Sequence, residues 1–164
     1  MPVTSILGEL FGHNLWANRR LLDACAGLSE EQLDLTAPGT YGSVRDTLVH
    51  LFGAEARYVA RLRSEPPATD VDERAGWPGL AKLRESGERS GAALIELATK
   101  TPPALVLHGT WRGEPYELSA AVVLIQSINH ATEHRSHVVG ILTQNGVALP
   151  EFDGWNYGQD TGIG

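Results

Sequence analysis

The sequence predicts an all-α protein, a four-helix bundle, and three observations support this prediction. Four segments repeat apolar residues with the period of an amphipathic helix. One long connection separates the second of these segments from the third, and very little of the chain alternates as a strand does. Four such helices can bury their apolar faces against one another in a bundle.

The first helix is predicted from Ile6 to Leu28, where apolar residues such as Leu10 recur at helical spacing and Asn18 lies among the polar residues between them. Ser29 and Gln32 then form a capping-box pattern, which predicts a short helix. Proline and glycine break the chain after it, at Pro38, Gly39 and Gly42.

Ser43 and Asp46 repeat the start signal, and apolar residues from Val44 to Leu62 predict a second long helix that continues up to Pro66 and Pro67. The segment from Glu65 to Pro78 contains three prolines and few large apolar residues. A long exposed connection with insertions or disorder is therefore predicted there.

The third long helix is predicted by four leucines between Leu80 and Leu97. Gly87 and Gly91 lie inside it, and each costs about 1 kcal/mol relative to alanine. From Leu105 to Leu118, polar and apolar residues flank a glycine, which indicates a short hairpin or an extended loop.

The last long helix is predicted to begin after Ser119 and to run to Gly146 as its C-terminal stop, with Leu118 and Val123 as a hydrophobic staple. A tail rich in aromatic residues follows it. Three aromatic residues are predicted to pin a loop and the C-terminus by packing, with lining of a pocket mouth as the alternative: Trp111, Trp155 and Tyr157.

Composition narrows the classes of function. The 164 residues, 42% of them apolar, fit one compact domain over residues 1–164. A formal net charge of −7 argues against nucleic acid as a partner. The single cysteine, Cys25, is predicted to be a small core residue, and the absence of a basic segment followed by an apolar run favours a cytoplasmic location. No membrane partner is expected, because no segment reaches the roughly 20 uninterrupted apolar residues of a membrane-spanning helix.

The most informative stretch of the chain is the histidine-rich part of the last helix, from Asn129 to His137. His130 and His134 are separated by about 40° around the helix axis and by roughly 6 Å along it, so their imidazoles can converge on one metal ion. Their stripe, from Val123 to Ile141, continues through core-facing positions, which places the pair inside the bundle. By spacing alone, unrelated core histidines are the more frequent explanation of such a pair.

A third ligand has to come from another helix. His50 qualifies because it lies on the inward side of the second long helix, between Thr47 and Ala54. Three neutral imidazoles leave coordination open for water or substrate, as catalytic zinc sites do. Such a set accepts zinc, nickel, copper or iron, and zinc and nickel are the ions expected here.

Four motifs together resemble the DinB-like (YfiT-like) metalloprotein superfamily, and they span nearly the whole chain: Leu15-Trp16-Ala17-Asn18, His50-Leu51, His130-x-x-x-His134-Arg135, and Pro150 through Asp153-Gly154-Trp155-x-Tyr157. The resemblance implies an up-down-down-up four-helix bundle and a divalent ion held by three histidines, which map onto His50, His130 and His134. It also implies a homodimer, and the two glycines of the third long helix are compatible either with close approach of a neighbouring helix or with internal packing.

This chain departs from the family after the His-Arg pair, where the family often has glycine and glutamine and this chain has Ser136 and His137. His137 lies about 10 Å from His130 by helix rise, so it is expected to line the pocket or to contact a ligand residue without sharing the ion. Arg135 is a candidate for holding an anionic substrate or thiolate, with a structural ion pair as the alternative. His13, on the inner stripe of the first helix, is a further candidate, with a hydrogen-bonded buried histidine as the alternative.

Three functions follow as hypotheses. The first is a metal-dependent S-transferase or isomerase acting on small molecules, since relatives use mycothiol, bacillithiol or glutathione, with the sulfur bound to the ion. The second is a non-catalytic metal-binding or stress-response protein. The third is a metal-dependent hydrolase, ranked last because no second carboxylate with general-base spacing accompanies the histidine pair.

Overall fold

The computed structural model describes residues 5–163 of the chain. These residues form six α-helices, one 3-10 helix and one two-stranded sheet: α1 (Ile6–Cys25), α2 (Glu30–Leu33), α3 (Val44–Leu62), the 3-10 helix (Glu73–Ala75), α4 (Leu80–Lys100), β1 (Val106–Trp111), β2 (Glu114–Ser119), α5 (Ala120–Gln144) and α6 (Gly154–Thr161). The predicted helical bundle is confirmed, and the up-down-down-up order of its helices stays a prediction. None of the helices described here is long and apolar enough to cross a bilayer.

The four long helices pack side by side. Helix α1 contacts α4 and α5, and α3 contacts the same two helices, so each long helix has two long neighbours. Their buried apolar residues form two clusters, one around Phe52 and Leu48 and the other around Phe11 and Leu94. The packing of α3 against α5 is the contact on which the site depends, since it brings the predicted histidines to one place.

Local sequence signals fix where the helices begin. Ser29 and Ser43 each accept a hydrogen bond from the backbone three residues later, and Gln32 and Asp46 complete the two predicted capping boxes. Helix α5 begins after Ser119, whose hydroxyl accepts a hydrogen bond from the backbone N–H of Ala121. These caps satisfy backbone donors that the first turn of a helix leaves free.

One boundary and one face of α1 differ from the prediction. Helix α1 ends at Cys25 instead of Leu28, whereas α5 ends at Gln144 and is stopped, as predicted, by Gly146, which has a φ of 76°. Within α1, Leu10 is 42% exposed whereas Asn18 is only 1% exposed. The polar residue is inside because it belongs to a hydrogen-bonded network, described below, that apolar periodicity does not detect.

The connection from Glu65 to Pro78 is exposed over most of its length, as predicted, but it is anchored to the bundle instead of being disordered. Val71 within it is 1% exposed and packs into the core cluster around Phe52. A Cβ atom on Gly53 of α3 would lie 2.9 Å from the Val71 carbonyl oxygen, so the glycine allows this close approach. The segment thereby places the 3-10 helix against α3.

The predicted hairpin is confirmed as an antiparallel pair, β1 and β2, in which Gly109 pairs with Tyr116. Its two-residue turn is Arg112-Gly113, with φ values of 51° and 87°. Two positive φ values in succession are characteristic of a type I′ turn, which matches the twist of the paired strands.

The two glycines of α4 serve packing within the bundle. A Cβ atom on Gly87 would lie 2.6 Å from the Phe52 ring of α3, and one on Gly91 would lie 2.5 Å from Leu15 of α1. Both glycines therefore let a neighbouring helix of the same chain come close, and they give no support to a contact with a second subunit.

Candidate metal centre

The three predicted ligands meet at the contact between α3 and α5. His130 and His134 lie one turn apart on the buried stripe of α5 and are 8% and 6% exposed. His50 projects from α3 and is half-buried. One nitrogen from each ring can be chosen so that all three lie within 4.8 Å of one another.

The ring geometry shows a compact cluster. The centroids of the three rings are 4.3 to 4.8 Å apart in each pair. The Nε2 atoms of His50 and His130 are 3.0 Å apart, in direct contact across the two helices.

This cluster fits a divalent cation. Imidazole nitrogens bind zinc at about 2.0–2.1 Å, so two nitrogens on one ion are roughly 3.0–3.4 Å apart, depending on the coordination angle. The His50–His130 separation of 3.0 Å lies at the lower end of that range. In addition, Nδ1 of His130 and Nδ1 of His134 are buried without a hydrogen-bond partner among the residues described. The surrounding residues therefore leave two imidazole nitrogens of the cluster without a hydrogen bond.

The electrostatic surroundings keep two of these imidazoles neutral. Burial lowers the pKa of His130 to about 3, assisted by the neighbouring His134 and His50. Burial likewise lowers the pKa of His134 to about 4, assisted by His50 and His137. Neutral imidazole is the form that binds metal, so both residues are ready to act as ligands near neutral pH.

A carboxylate from the ordered connection orients the third ligand. Oε1 of Glu73 lies 3.0 Å from Nδ1 of His50, and Oε2 accepts a hydrogen bond of 2.6 Å from the Tyr41 hydroxyl. Arg57 donates to the same carboxylate at 3.3 Å. Burial acts to raise the pKa of Glu73, but hydrogen bonds from Tyr41 and His50 outweigh it, so the pKa is below its ordinary value. A carboxylate on Nδ1 fixes the ring and directs Nε2 towards an ion.

Tyr41 also covers one face of this histidine. Its ring stacks on that of His50 with centroids 3.9 Å apart and an interplanar angle of 18°, and it meets His134 edge-on at 5.3 Å. Neither Tyr41 nor Glu73 was predicted from the sequence. Both lie in connecting segments, where the spacing of apolar residues does not predict which side chains face the core. The local sequence signal near Glu73 was Asp72, which caps the 3-10 helix.

The three other candidates lie outside the ligand cluster. His137 contacts His134, with ring centroids 5.1 Å apart, as expected for a residue beside a ligand. The Nε2 atom of His13 is 2.8 Å from the Phe152 carbonyl oxygen, and its ring packs against Trp16 and Tyr157. His13 therefore anchors the C-terminal segment, and it is not among the residues that line the cavity beside the metal cluster.

Arg135, the candidate for holding an anionic substrate or thiolate, lies in the core and is not among the residues that line the cavity beside the histidine cluster. It is 5% exposed, and its Nη1 donates to the side-chain oxygens of Asn14 and Asn18 at 2.7 and 2.8 Å. The amide groups of the same asparagines donate to Oε1 of Glu55 at 2.6 and 3.1 Å. Arg135 is thus linked to a fully buried carboxylate through two amides, and the structural alternative is the one that describes it.

A cavity of about 460 Å³ adjoins the histidine cluster. His50 and His130 belong to its lining, and the remaining lining residues come from α3, α5 and the hairpin: Ala54, Arg57, Tyr58, Arg61, Trp111, Tyr116, Leu118 and Gln126. A volume of this size falls in the usual range for small-molecule sites, roughly 300–1,000 Å³. An ion held by the histidines would therefore be reached from a cavity large enough for a small substrate.

The predictions for the three aromatic residues and for Cys25 had different outcomes. Trp111 lines the cavity, Trp155 is 84% exposed, and Tyr157 pins α6 by donating to Glu9 at 2.9 Å. Cys25 is fully buried, and burial raises its pKa to about 12, so it is the small core residue predicted and not a nucleophile.

Comparison with known proteins agrees with these observations. The model of the DinB family matches residues 1–161. A DinB-like protein from Bacillus cereus has a similar structure, with a TM-score of 0.66 and 16% sequence identity over 88% of this chain and 94% of that chain. YfiT from Bacillus subtilis, described as a probable metal-dependent hydrolase with an unusual four-helix bundle topology, is similar with a TM-score of 0.59 and 21% identity over 90% of this chain and 94% of its own. No curated protein sequence matches the chain.

Proposed function

Because the chain belongs to the DinB family, we propose that it holds a divalent ion, zinc or nickel, through His50, His130 and His134 and acts on a small molecule in the adjoining cavity. The observation that carries this proposal is the meeting of three imidazoles beside a 460 Å³ cavity whose lining includes two of them, His50 and His130. A purely structural ion does not require an adjoining cavity of substrate size, whereas a catalytic ion does.

The reaction we favour is transfer or isomerisation dependent on a low-molecular-weight thiol, with mycothiol, bacillithiol and glutathione as the candidates. A bound divalent ion supplies Lewis-acid chemistry that favours thiolate over thiol near neutral pH. The described residues that line the cavity include no carboxylate that could act as a general base, since Glu73 lies behind His50 and is occupied by three hydrogen bonds. A thiolate nucleophile needs no such base.

The residues of the chain have separate tasks in this proposal. Glu73 and Tyr41 hold His50 in its orientation, and the low pKa values of His130 and His134 keep their rings unprotonated. Tyr58, Trp111 and Tyr116 line one part of the cavity with aromatic rings, and an apolar substrate packed on them would displace water there.

Hydrolysis is the second candidate. Its support is the likeness in fold to YfiT, described as a probable metal-dependent hydrolase, together with the coordination positions that three imidazoles leave open. The lack of a carboxylate in the described lining places it behind thiol transfer.

The test compares the metal-loaded protein with two variants, His134→Ala and His108→Ala. His108 is exposed on β1 and outside the cavity lining, so it is a matched control. Each protein is assayed with the three thiols and a reporter electrophile, and separately with activated esters in the absence of thiol. We expect thiol-dependent product from the parent and from His108→Ala and little from His134→Ala. Ester cleavage without thiol would favour hydrolysis, and equal rates for all three proteins in both assays would leave only metal binding.

A further inference from the structure

The cavity beside the histidine cluster has two chemically different parts. Tyr58, Trp111, Tyr116 and Leu118 give it an apolar and aromatic wall, and Arg57 and Arg61 bring two guanidinium groups into its lining. Asp and Glu are absent from the described lining residues, although the chain as a whole carries a formal net charge of −7. The cavity is thus locally cationic in an acidic protein, which favours entry of anions.

The two arginines differ in whether their charge is balanced. Arg57 forms an ion pair with Glu73 at 3.3 Å. The side chain of Arg61, one turn further along α3, forms no ion pair or hydrogen bond with any residue from 5 to 163. Its guanidinium lies 5.0 Å from the Tyr116 ring centroid and 5.7 Å from that of Trp111. Contacts with ring faces leave the N–H donors in the guanidinium plane free, and those donors match a carboxylate in a two-pronged contact.

The hairpin is built to hold Arg61 in this place. Tyr116 lies across its strand partner Gly109, and any side chain at position 109 would collide with the Tyr116 ring. Leu107 and Leu118, one pair further along the same face, are packed towards the core. The tyrosine is therefore fixed between the strand and Arg61, and the arginine is positioned before any ligand arrives.

We propose that this cavity recognises an organic carboxylate with an apolar body, whose carboxylate is bound by Arg61 and whose body packs on Tyr58, Trp111 and Tyr116. The other end of such a molecule would lie near His50 and His130. This substrate class rests on the proposed function, because the reacting end of the molecule is assigned to the histidine cluster. The contact between the carboxylate and Arg61 needs no bound ion.

The experiment measures binding by calorimetry with a matched pair of probes, 4-phenylbutyrate and the neutral 4-phenylbutan-1-ol. Butyrate is the third probe and carries the charge without the aromatic body. We expect the parent protein to bind phenylbutyrate at least about ten-fold more tightly than either of the other two, since a charge-assisted contact and an aromatic contact act together.

Three substitutions assign this preference to one residue. Arg61→Gln should weaken phenylbutyrate binding about ten-fold or more and leave phenylbutanol binding unchanged. Arg61→Lys keeps the charge and loses the planar fork, so we expect an intermediate loss. Arg63→Gln, an exposed arginine two residues later that is outside this cavity, should bind like the parent. Resonances of the Arg61 Nε–H group should shift on titration with phenylbutyrate.

The outcomes separate this proposal from the proposed function. In the metal-depleted His134→Ala variant the ten-fold effect of Arg61→Gln on phenylbutyrate should persist, even if no thiol transfer or metal binding is found in the parent. Equal binding of phenylbutyrate and phenylbutanol, no binding of phenylbutyrate at millimolar concentration, or equal losses in Arg61→Gln and Arg63→Gln would each overturn the proposal.

Discussion

Glu73 has the clearest single-residue role in the site, because among residues 5–163 it is the one carboxylate within hydrogen-bond distance of a ligand imidazole. It lies 3.0 Å from Nδ1 of His50 and is held in turn by the Tyr41 hydroxyl. A partner of this kind fixes the tautomer and the orientation of a metal-binding histidine.

Replacing Glu73 should therefore weaken metal binding without removing a ligand. We expect Glu73→Gln to lower the affinity for zinc about 10- to 100-fold, since an amide is a poorer acceptor than the carboxylate it replaces. Competition with a chromophoric chelator measures this affinity. Glu65→Gln, an exposed acid in the same connection, is the control and should bind like the parent. Equal affinities for Glu73→Gln and the parent would show that the carboxylate does not orient His50.

The site was predictable from the sequence where it lies on helices. His130 and His134 were found because a spacing of four residues places them on one buried stripe, and His50 because it is on the inward side of α3. Glu73 and Tyr41 were missed because their positions depend on how two connections fold back onto α3. The sequence left Arg135 open between an anion-binding role and a structural role, because the partners of its side chain, Asn14 and Asn18, lie on another helix.

At the scale of the helices, a buried polar network joins all four members of the bundle. Glu55 of α3 accepts hydrogen bonds from Asn14 and Asn18 of α1 and from Ser90 of α4, and Arg135 of α5 donates to the same asparagines. Burial raises the pKa of Glu55, opposed by the hydrogen bonds and the charge of Arg135, and burial lowers the pKa of Arg135 to about 10. Each charged group depends on the other, because both are removed from water.

Breaking this network should cost much of the stability of the bundle. We expect Glu55→Gln to lower the free energy of unfolding by about 3 kcal/mol or more, because it leaves the Arg135 charge uncompensated in the core. Urea denaturation measures the loss. Glu88→Gln removes the partner of Arg19 in an exposed ion pair and should cost less than about 1 kcal/mol. Similar losses in the two variants would contradict a structural role for the buried network.

The glycines of α4 give a second prediction at this scale. Gly91→Ala should destabilise the protein by about 1–3 kcal/mol, because the added methyl group would overlap Leu15, even though alanine favours a helix by about 1 kcal/mol. Gly140→Ala on α5 is the matched control. Its Cβ would meet nothing closer than the Gln144 amide at 4.0 Å, so we expect a gain of about 0.5–1 kcal/mol. A gain in both variants on thermal unfolding would show that α1 and α4 are not closely packed at Gly91.

Some helices, strands and connections could be predicted from the sequence more accurately than others. Caps and apolar spacing located α3 and α5 well, and Gly113 located the hairpin turn, because these signals act within a few residues. The connection between α3 and α4 was correctly predicted to be exposed over most of its length, but the burial of Val71 was missed because it depends on a close approach to Gly53 of α3. Such a contact exists only after the helices have packed.

For the whole molecule, exposed apolar side chains are concentrated where two helices begin. Ile6, Leu7 and Leu10 of α1 are 85%, 50% and 42% exposed, and Val122 and Ile125 of α5 are 52% and 60% exposed. Both helix starts border one core cluster, since it includes Phe11 and Val123. Apolar side chains exposed in this way are common at subunit interfaces.

We therefore expect a homodimer that covers these helix starts. Light scattering at micromolar concentration should give twice the monomer mass of 17.7 kDa. Ile125→Glu should shift the mass towards that of the monomer and leave the circular dichroism unchanged, because Ile125 is exposed in the single chain. A monomer mass for the parent protein would contradict the expectation.

The central claim is that three histidines from two helices bind one divalent ion, and metal content tests it most directly. The parent protein and its single alanine variants at positions 50, 130, 134 and 108 are loaded with zinc or nickel, dialysed and analysed for metal by mass spectrometry, with circular dichroism to check folding. We predict about one ion per chain in the parent and in His108→Ala, and almost none in His50→Ala, His130→Ala and His134→Ala. Parent-like metal content in the three cluster variants, or a parent protein that retains neither ion, would contradict the claim.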